Sequence, residues 1–355
     1  MKKQIINANG STERNGIIDT LRFLGLSLII LAHVNPNEYI FQLRNFDVPL
    51  MFIVMGMSFG LTSDKQRTKL TYIVSRFKRL IIPTWVFLVF MFVTSYLYYL
   101  TANIKIFYFS EYEIYTSFSL SRGFGFVWVI RLFFAVSVIA ILTPSNFYRI
   151  NVFIIYILSI SIIFMSDNIL GEWYKELDSG NDILLLGSFL SNVIPYFFIF
   201  LLGTKLLNAT SKQMYSLFSI SLLFFLGYAL YNYLYHSAYY QTQIDKYPPG
   251  LYYLSYSLAM SLLCLIALRT LQSKNINTAS ALIIFISSNS IWIYLWHIVF
   301  VMLTDSVDMY FLARYALVYA AAILSFSVQY RLITQLSSKL HNKKYKNWMT
   351  SIFTG

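Results

Sequence analysis

The sequence has little of what builds a disulfide-bonded, metal-binding or redox protein. It contains a single cysteine, Cys264, which lies in an apolar stretch, and only four histidines. One cysteine excludes an intrachain disulfide and a dithiol redox motif, and no cysteine or histidine spacing fits a metal site. We therefore predict no metal and no permanently bound cofactor, and we assign Cys264 to packing.

Charged residues are also scarce. They make up 12% of the 355 residues, whereas 57% are hydrophobic and 19% are aromatic, and the mean hydropathy is +0.60. This composition is far from that of a soluble domain and predicts a multi-spanning membrane protein. The net charge of +12 does not indicate a nucleic-acid partner, because the basic residues stand at the ends of apolar segments. The predicted partner is a lipid bilayer.

Ten apolar segments are candidates to cross a hydrocarbon core of about 30 Å, which needs about 20 residues per helix. They are 17–35, 46–62, 80–100, 124–143, 151–166, 183–207, 214–235, 251–270, 281–303 and 311–333. We therefore predict an all-α, polytopic bundle of about ten transmembrane helices over residues 17–333. An N-terminal tail at 1–16 and a basic C-terminal tail at 334–355 flank it.

The positions of lysine and arginine predict the orientation of the bundle. With the N-terminus inside, 19 of the 27 basic residues fall in inner loops and tails and six fall in outer loops. The remaining two, Arg22 and Arg131, lie within helices. Because loops rich in lysine and arginine stay in the cytoplasm, both termini are predicted to be cytoplasmic.

The first apolar segment carries two ionisable side chains, Arg22 and His33. Such groups are rarely kept in a membrane helix unless they face a wet cavity, a partner or a substrate path. Eleven helical residues return to within roughly 20° of the starting direction, which places both groups on one stripe. Asp19 shares that stripe and can neutralise Arg22, while His33 is the candidate general base. The alternative is that Asp19 and Arg22 only join helices and His33 lies at the membrane interface.

A second histidine, His297, lies on the ninth segment at the level of His33, and Ser290 is seven residues earlier on nearly the same face. An interfacial belt of Trp and His side chains is the alternative explanation for His297. Arg131, in the outer part of the fourth segment, either extends outward along its apolar stem or lines the path of a polar acceptor.

Three cations stand at the predicted cytoplasmic mouth of the third segment: Arg76, Lys78 and Arg79. Arginine and lysine side chains pair well with phosphates. The alternative is that these residues only set the topology, as most basic loops do.

Taken in order, these segments resemble the acyltransferase-3 family of multi-pass membrane acyltransferases. Arg22 to His33 resembles the arginine, ten residues, histidine motif of that family, and residues 46–57 resemble its second-helix pattern, with Met55 and Met57 at the usual Ser and Phe positions. Further similar stretches are 76–83 at the start of the third helix, 126–128 with Trp128 in the fourth, 247–250 before the eighth and the Tyr-Leu-Trp-His of 294–297.

The resemblance implies an O-acetyltransferase of the plasma (inner) membrane, without the appended periplasmic esterase-like domain of some members. It would take an acyl group, usually acetyl, from cytoplasmic acyl-CoA to a hydroxyl of an envelope glycan or glycolipid. The coenzyme A phosphates would meet Arg76, Lys78 and Arg79, the thioester arm would pass Arg22, and His33 would act as base or transient acyl carrier. The predicted substrate-binding residues are Arg76, Lys78, Arg79, Trp128, Arg131, Ser290 and His297.

Two other functions remain open at this point. A transporter or polymerase of an envelope-glycan pathway would also be a basic, aromatic helical bundle with arginines in the membrane. An inactive homologue that acts as a sensor is suggested by the departures at Met55 and Met57.

Overall fold

The computed structural model describes residues 14–62, 68–102, 108–119, 126–165, 182–237 and 239–354, with only the backbone described for 182–188. Helices are the only extended regular elements in these ranges. The predicted all-α class is therefore confirmed. Residues 1–13 of the predicted N-terminal tail lie outside the described ranges, as do residues 166–181, nearly all of which fall between the fifth and sixth predicted segments.

The helices of the described ranges divide the chain into long membrane-type segments and short connecting ones. In chain order they are α1 (Gly16–Ala32), α2 (Glu38–Leu43), α3 (Asp47–Thr62), α4 (Lys69–Thr101), α5 (Glu111–Phe118), α6 (Trp128–Leu142), α7 (Val152–Met165), α8 (Asp182–Leu206), α9 (Ser211–His236), α10 (Leu251–Ser273), α11 (Ala281–Ser288), α12 (Ser290–Leu303), α13 (Phe311–Ser338) and α14 (Lys343–Phe353).

Each of the ten predicted apolar segments coincides with a helix or, for the ninth, with two. By length and composition, the described part contains six helical segments able to cross a membrane, or seven if the bent pair α11 and α12 is one span. The helices α1, α6 and α7 have only 17, 15 and 14 residues. The described protein is thus a multi-pass helical bundle, and the count of ten spans stays a prediction, as does the side of the termini.

Side-chain caps begin several helices where the sequence changes from polar to apolar. The Asn15 side chain accepts hydrogen bonds from the backbone N–H of Ile17 and Ile18 at the start of α1. Thr210 and Gln213 form a reciprocal capping box at the start of α9. Because the first four N–H groups of a helix lack partners within it, such caps determine where the helix begins.

The ninth predicted segment, 281–303, is broken. Helices α11 and α12 meet at Asn289 with a bend of 82°, so the prediction of one continuous helix is wrong. The Asn289 side chain donates a hydrogen bond to the Phe285 carbonyl at 2.6 Å. A short polar side chain that bonds to the local backbone competes with helix continuation.

Two glycines let α3 and α8 pack backbone against backbone. A Cβ atom on Gly56 would overlap the carbonyl of Phe200, and one on Gly203 would overlap the carbonyl of Ile53. Small residues at crossing points allow close helix packing in membrane proteins. The apolar side chains beside the crossing, including Phe52 and Tyr196 at a ring separation of 4.5 Å, form the centre of the core.

Candidate functional site

A cavity of about 240 Å³ lies between α1, α3, α4, α6 and the broken pair α11 and α12. One end of its lining includes the exposed residues Arg79 and Ser288, and the other includes the buried Val129 and Tyr294. Arginine and serine side chains line the first end, whereas mainly apolar side chains line the second. We call the first end the basic end of the bundle.

Arg22 lies in this cavity, as its membrane-embedded position in the sequence suggested. Its side chain is about a quarter exposed, and Nη2 donates a hydrogen bond to the Ser58 Oγ atom at 2.9 Å. Its Nη1 atom is 3.7 Å from the Asp19 carboxylate. The Asp19 carboxylate has two closer partners. Arg14 Nε lies 2.5 Å from it, and the Ser287 hydroxyl donates a hydrogen bond to it at 2.8 Å. The expected pairing of Asp19 with Arg22 is therefore the weakest of the contacts that Asp19 makes.

The three basic residues of α4 face two different places. Arg76 and Arg79 line the cavity together with Arg22. Lys78 instead lines a separate groove beside α14. The structure thus brings two of the three predicted phosphate-binding residues to the cavity and places the third outside it.

The two intramembrane histidines are in direct contact. Helix α1 ends at Ala32, so His33 is its C-cap residue, still with helical backbone angles. His297 is fully buried within α12. The Nδ1 atom of His33 lies 2.9 Å from Nε2 of His297, and the rings are nearly parallel at 16°. The predicted common level of the two histidines corresponds to a hydrogen-bonded pair.

The partners of this pair fix where its protons lie. His297 Nδ1 contacts the Tyr294 backbone carbonyl, which can only accept a hydrogen bond, so Nδ1 carries the proton in the neutral ring. Its Nε2 atom is then an acceptor, and His33 must donate from Nδ1. His33 Nε2 consequently carries a lone pair, and no hydrogen bond from a described residue engages it. A half-buried imidazole of this kind can take up a proton or attack a carbonyl.

The histidine pair lies beyond the apolar end of the cavity. The cavity lining includes Arg22, Ile29 and Tyr294 but neither histidine. Ile29 is one helical turn before His33, and Tyr294 provides the carbonyl that contacts His297. The cavity that Arg22 lines reaches Ile29 and Tyr294, and its lining does not extend to His33.

The remaining predicted substrate-binding residues are divided between the cavity and the packed core. Ser290, the first residue of α12, lines the cavity. Arg131 does not; its guanidinium lies 4.9 Å from the centre of the Phe189 ring. The Trp128 ring packs edge-on against Tyr247 at 5.1 Å. The structure therefore does not bring Trp128 and Arg131 to the cavity.

A buried ionic cluster at the other end of the bundle was missed by sequence reasoning. Arg44 Nη1 donates to Asp47 at 2.8 Å, and Lys246 Nζ donates to the same carboxylate at 3.4 Å and to Asn45 Oδ1 at 3.2 Å. Asn45 in turn donates to Thr242 at 2.9 Å. All five residues are at most 4% exposed. Arg44 and Lys246, two of the six basic residues that the charge pattern assigns to outer loops, are thus buried.

Two cations face one carboxylate in this cluster. Burial lowers the pKa of the Lys246 ammonium, and the negative charge of Asp47 opposes that shift. The one available sequence signal was the Arg44 and Asp47 pair at a spacing of three residues. Lys246, the second cation that contacts Asp47, is 199 residues away from it in the sequence. The sequence therefore offers no local indication of the full cluster.

The described residues contain no group of three or more His, Cys, Asp or Glu side chains that could hold a metal ion. The imidazole pair itself has groups suited to acid–base or nucleophilic chemistry. The nearby cavity contributes guanidinium groups suited to an anionic substrate.

The sequence model of one protein family, described as an acyltransferase domain, matches residues 15–330. The chain belongs to the acyltransferase-3 family. The match covers nearly the whole chain. No curated protein and no solved structure matches the chain.

Membership in the acyltransferase-3 family supports a membrane transferase that acts on acyl groups. The matched region contains both histidines, Arg22 and the whole cavity lining. It ends before α14, which is therefore a feature of this chain outside the matched region.

Proposed function

We propose that this acyltransferase moves an acyl group, acetyl by preference, from cytoplasmic acyl-CoA to a hydroxyl of an envelope glycan or glycolipid. It would work in the plasma (inner) membrane, with the basic end facing the cytoplasm. The observation that carries the proposal is the chain of contacts from the Tyr294 carbonyl through His297 to His33. It leaves the His33 Nε2 lone pair available for reaction.

The reaction at His33 has two possible courses. As a general base, Nε2 takes the proton of the acceptor hydroxyl while that oxygen bonds to the thioester carbonyl carbon; the C–S bond breaks, and the thiolate leaves and regains the proton from the imidazolium. As a nucleophile, Nε2 bonds to the carbonyl carbon, and the C–S bond breaks to release the thiolate. The acceptor oxygen then bonds to the same carbon, the C–N bond breaks, and the hydroxyl proton passes to the thiolate. In both courses the hydrogen bond to His297 keeps the ring in the required orientation.

The donor would approach from the basic end. Arg76 and Arg79 carry charge suited to the coenzyme A phosphates, and Arg22, held by Ser58, stands further along the cavity. The thioester must then pass Ile29 and Tyr294 to reach His33. We propose that donor binding displaces the Tyr294 side chain, whose hydroxyl donates a hydrogen bond to the Phe126 carbonyl.

The test is thiol release from acetyl-CoA by the purified protein in lipid nanodiscs, combined with mass spectrometry of envelope glycans from cells with and without it. We expect thiol release that depends on His33 and an added acetyl mass on a glycan. Failure to consume any acyl-CoA would overturn the proposal and favour an envelope-glycan transporter or polymerase, because such a protein has no use for a thioester.

A further inference from the structure

The basic composition of residues 334–355 predicts a C-terminal tail. In the structure, part of this segment forms helix α14, which packs against the bundle. Ile352 is fully buried, and its carbonyl accepts a hydrogen bond from the Trp292 indole at 2.7 Å. The Phe353 ring stacks on Trp292 at 5.9 Å, and its carbonyl accepts a hydrogen bond from Gln329 at 2.8 Å. These contacts fix the position of α14 beside α12 and α13.

A groove of about 800 Å³ lies between α14 and the start of α4. Three lysines line it, Lys78 from α4 and Lys343 and Lys344 from α14, together with the rings of Tyr345 and Trp348. Among the residues that the structure describes, no carboxylate is part of the lining. Trp348 is 48% exposed, so a flat ligand can reach it.

The chemistry of this groove selects a particular kind of ligand. Three ammonium groups without a carboxylate attract a multiply charged phosphate compound. Exposed aromatic rings stack on nucleobases, which all have a π face. A compound with both features is a phosphorylated nucleotide. A lipid headgroup would satisfy the lysines, but a flat bilayer surface does not fill a concave groove beside an exposed indole.

Consecutive residues of α4 line the groove and the cavity. Lys78 lines the groove, and Arg79, the next residue, lines the cavity with Arg76 and Arg22. Trp292, which anchors α14, follows Ile291 of the cavity lining. One extended ligand can therefore lie with its charged end in the groove and its narrow end in the cavity.

We propose that the groove of Lys78, Lys343, Lys344, Tyr345 and Trp348 binds the phosphorylated adenosine end of the coenzyme A donor. This inference rests on the proposed function. The adenine ring stacks on Trp348 and the 3′-phosphate lies among the lysines, while the pantetheine arm turns past Arg79 into the cavity.

The variant that tests the groove is Lys343→Gln/Lys344→Gln. Its control is Lys339→Gln/Lys346→Gln, which removes two exposed lysines of the same region that do not line the groove. The probe is adenosine 3′,5′-bisphosphate, titrated calorimetrically into each purified protein. We expect the affinity of the groove variant for this probe to be lower by about tenfold or more. The control should bind the probe with the affinity of the parent. Trp348→Leu should also bind it with lower affinity than the parent.

Steady-state kinetics provide the second measurement. The groove variant is expected to raise KM for acetyl-CoA by about tenfold and to leave the use of S-acetylpantetheine, which lacks the nucleotide, equal to that of the parent. Equal affinities for the bisphosphate in the parent and the groove variant would overturn the inference. So would loss of binding to anionic phosphatidylglycerol vesicles with unchanged nucleotide affinity, which would make the groove a lipid contact.

These outcomes separate the two proposals. Turnover of acetyl-CoA by a parent protein that does not bind the bisphosphate overturns the groove and leaves the acyltransferase reaction intact. Binding of the bisphosphate in the groove without any turnover of acyl-CoA overturns the proposed reaction and leaves the nucleotide site.

Discussion

His33 Nδ1 lies 2.9 Å from His297 Nε2, and the second imidazole is held in turn by the Tyr294 backbone carbonyl. A carbonyl cannot donate a hydrogen bond. For neutral rings, the donor and acceptor in each of these two hydrogen bonds are therefore determined. The two histidines come from segments 264 residues apart. The sequence alone indicates His33 as a single candidate base. The contact with His297 shows that its ring is held in a fixed orientation.

His33→Ala is expected to lower acyl transfer by about a hundredfold to ten thousandfold, the usual effect of removing a general base. The measurement is thiol release from acetyl-CoA at saturating donor. The protein should still insert into the membrane and elute as a single species, because His33 lies at the end of α1 and not in its interior. Full acylation of the acceptor in cells that make only this variant would refute the assignment.

His297→Ala removes the acceptor of the His33 hydrogen bond and should reduce kcat by less than His33→Ala does. The ring of His33 keeps its chemistry but loses its fixed tautomer and orientation. The double variant His33→Ala/His297→Ala should be no slower than His33→Ala alone, because residues that act as a unit are not additive. If the loss of rate in the double variant equals the product of the losses in the two single variants, the two histidines do not work together.

Ser58→Ala removes the acceptor that holds the Arg22 guanidinium at 2.9 Å. One hydrogen bond contributes about 0.5–1.5 kcal/mol net, so kcat/KM for acetyl-CoA should fall roughly twofold to tenfold. Thr62→Ala on the same helix is the control, since among the described residues its hydroxyl donates only to backbone carbonyls of its own helix. An unchanged kcat/KM in the Ser58→Ala protein would show that the hydrogen bond from Arg22 to Ser58 does not contribute to the reaction.

Gly56→Ala is expected to destabilise the protein by about 1–3 kcal/mol, the usual cost of overpacking, because the added Cβ would overlap the Phe200 carbonyl. Gly227→Ala is a matched control: Gly227 lies within α9, and a Cβ there would meet nothing within 4 Å. That change should stabilise by about 0.4–1 kcal/mol. Thermal unfolding in one detergent compares the two, and equal midpoints would contradict the close packing of α3 and α8.

Asp47→Asn should be more damaging than Lys246→Met. The first leaves Arg44 and Lys246 buried without a carboxylate, and loss of one partner from a buried ionic group costs about 3–5 kcal/mol. The second leaves the Arg44 and Asp47 pair, whose atoms are 2.8 Å apart, balanced one to one. Thermal unfolding midpoints in the reverse order would show that Lys246 has a larger structural role than charge balance.

The helical segments could be predicted because burial in lipid requires long apolar runs, and lysine and arginine mark their ends. The break at Asn289 was missed although four polar residues, 287–290, interrupt the apolar run 281–303. Short polar residues also occur inside membrane helices, and the bend of 82° depends on how α11 and α12 pack. Helix α14 could not be predicted as part of the bundle either. Its position depends on Trp292, which is distant in the sequence.

The candidate site was predictable to the extent that an ionisable side chain in an apolar run is itself a signal. Arg22, His33 and His297 were found in this way. Their partners carry no such signal: Ser58 is one of many serines, and the Tyr294 carbonyl is backbone. The division of the α4 cations between cavity and groove depends on which neighbours cover each face of that helix.

The crossing of α3 and α8 at Gly56 and Gly203 has a consequence for how a ligand can enter. Main chain lies against main chain there, so no side chain is available to change rotamer and allow the two helices to slide or part. Met55 and Ser58 extend from this fixed pair into the cavity. One wall of the cavity is therefore rigid, and any widening on ligand entry must come from the opposite walls, α4 and the jointed helices that meet at Asn289.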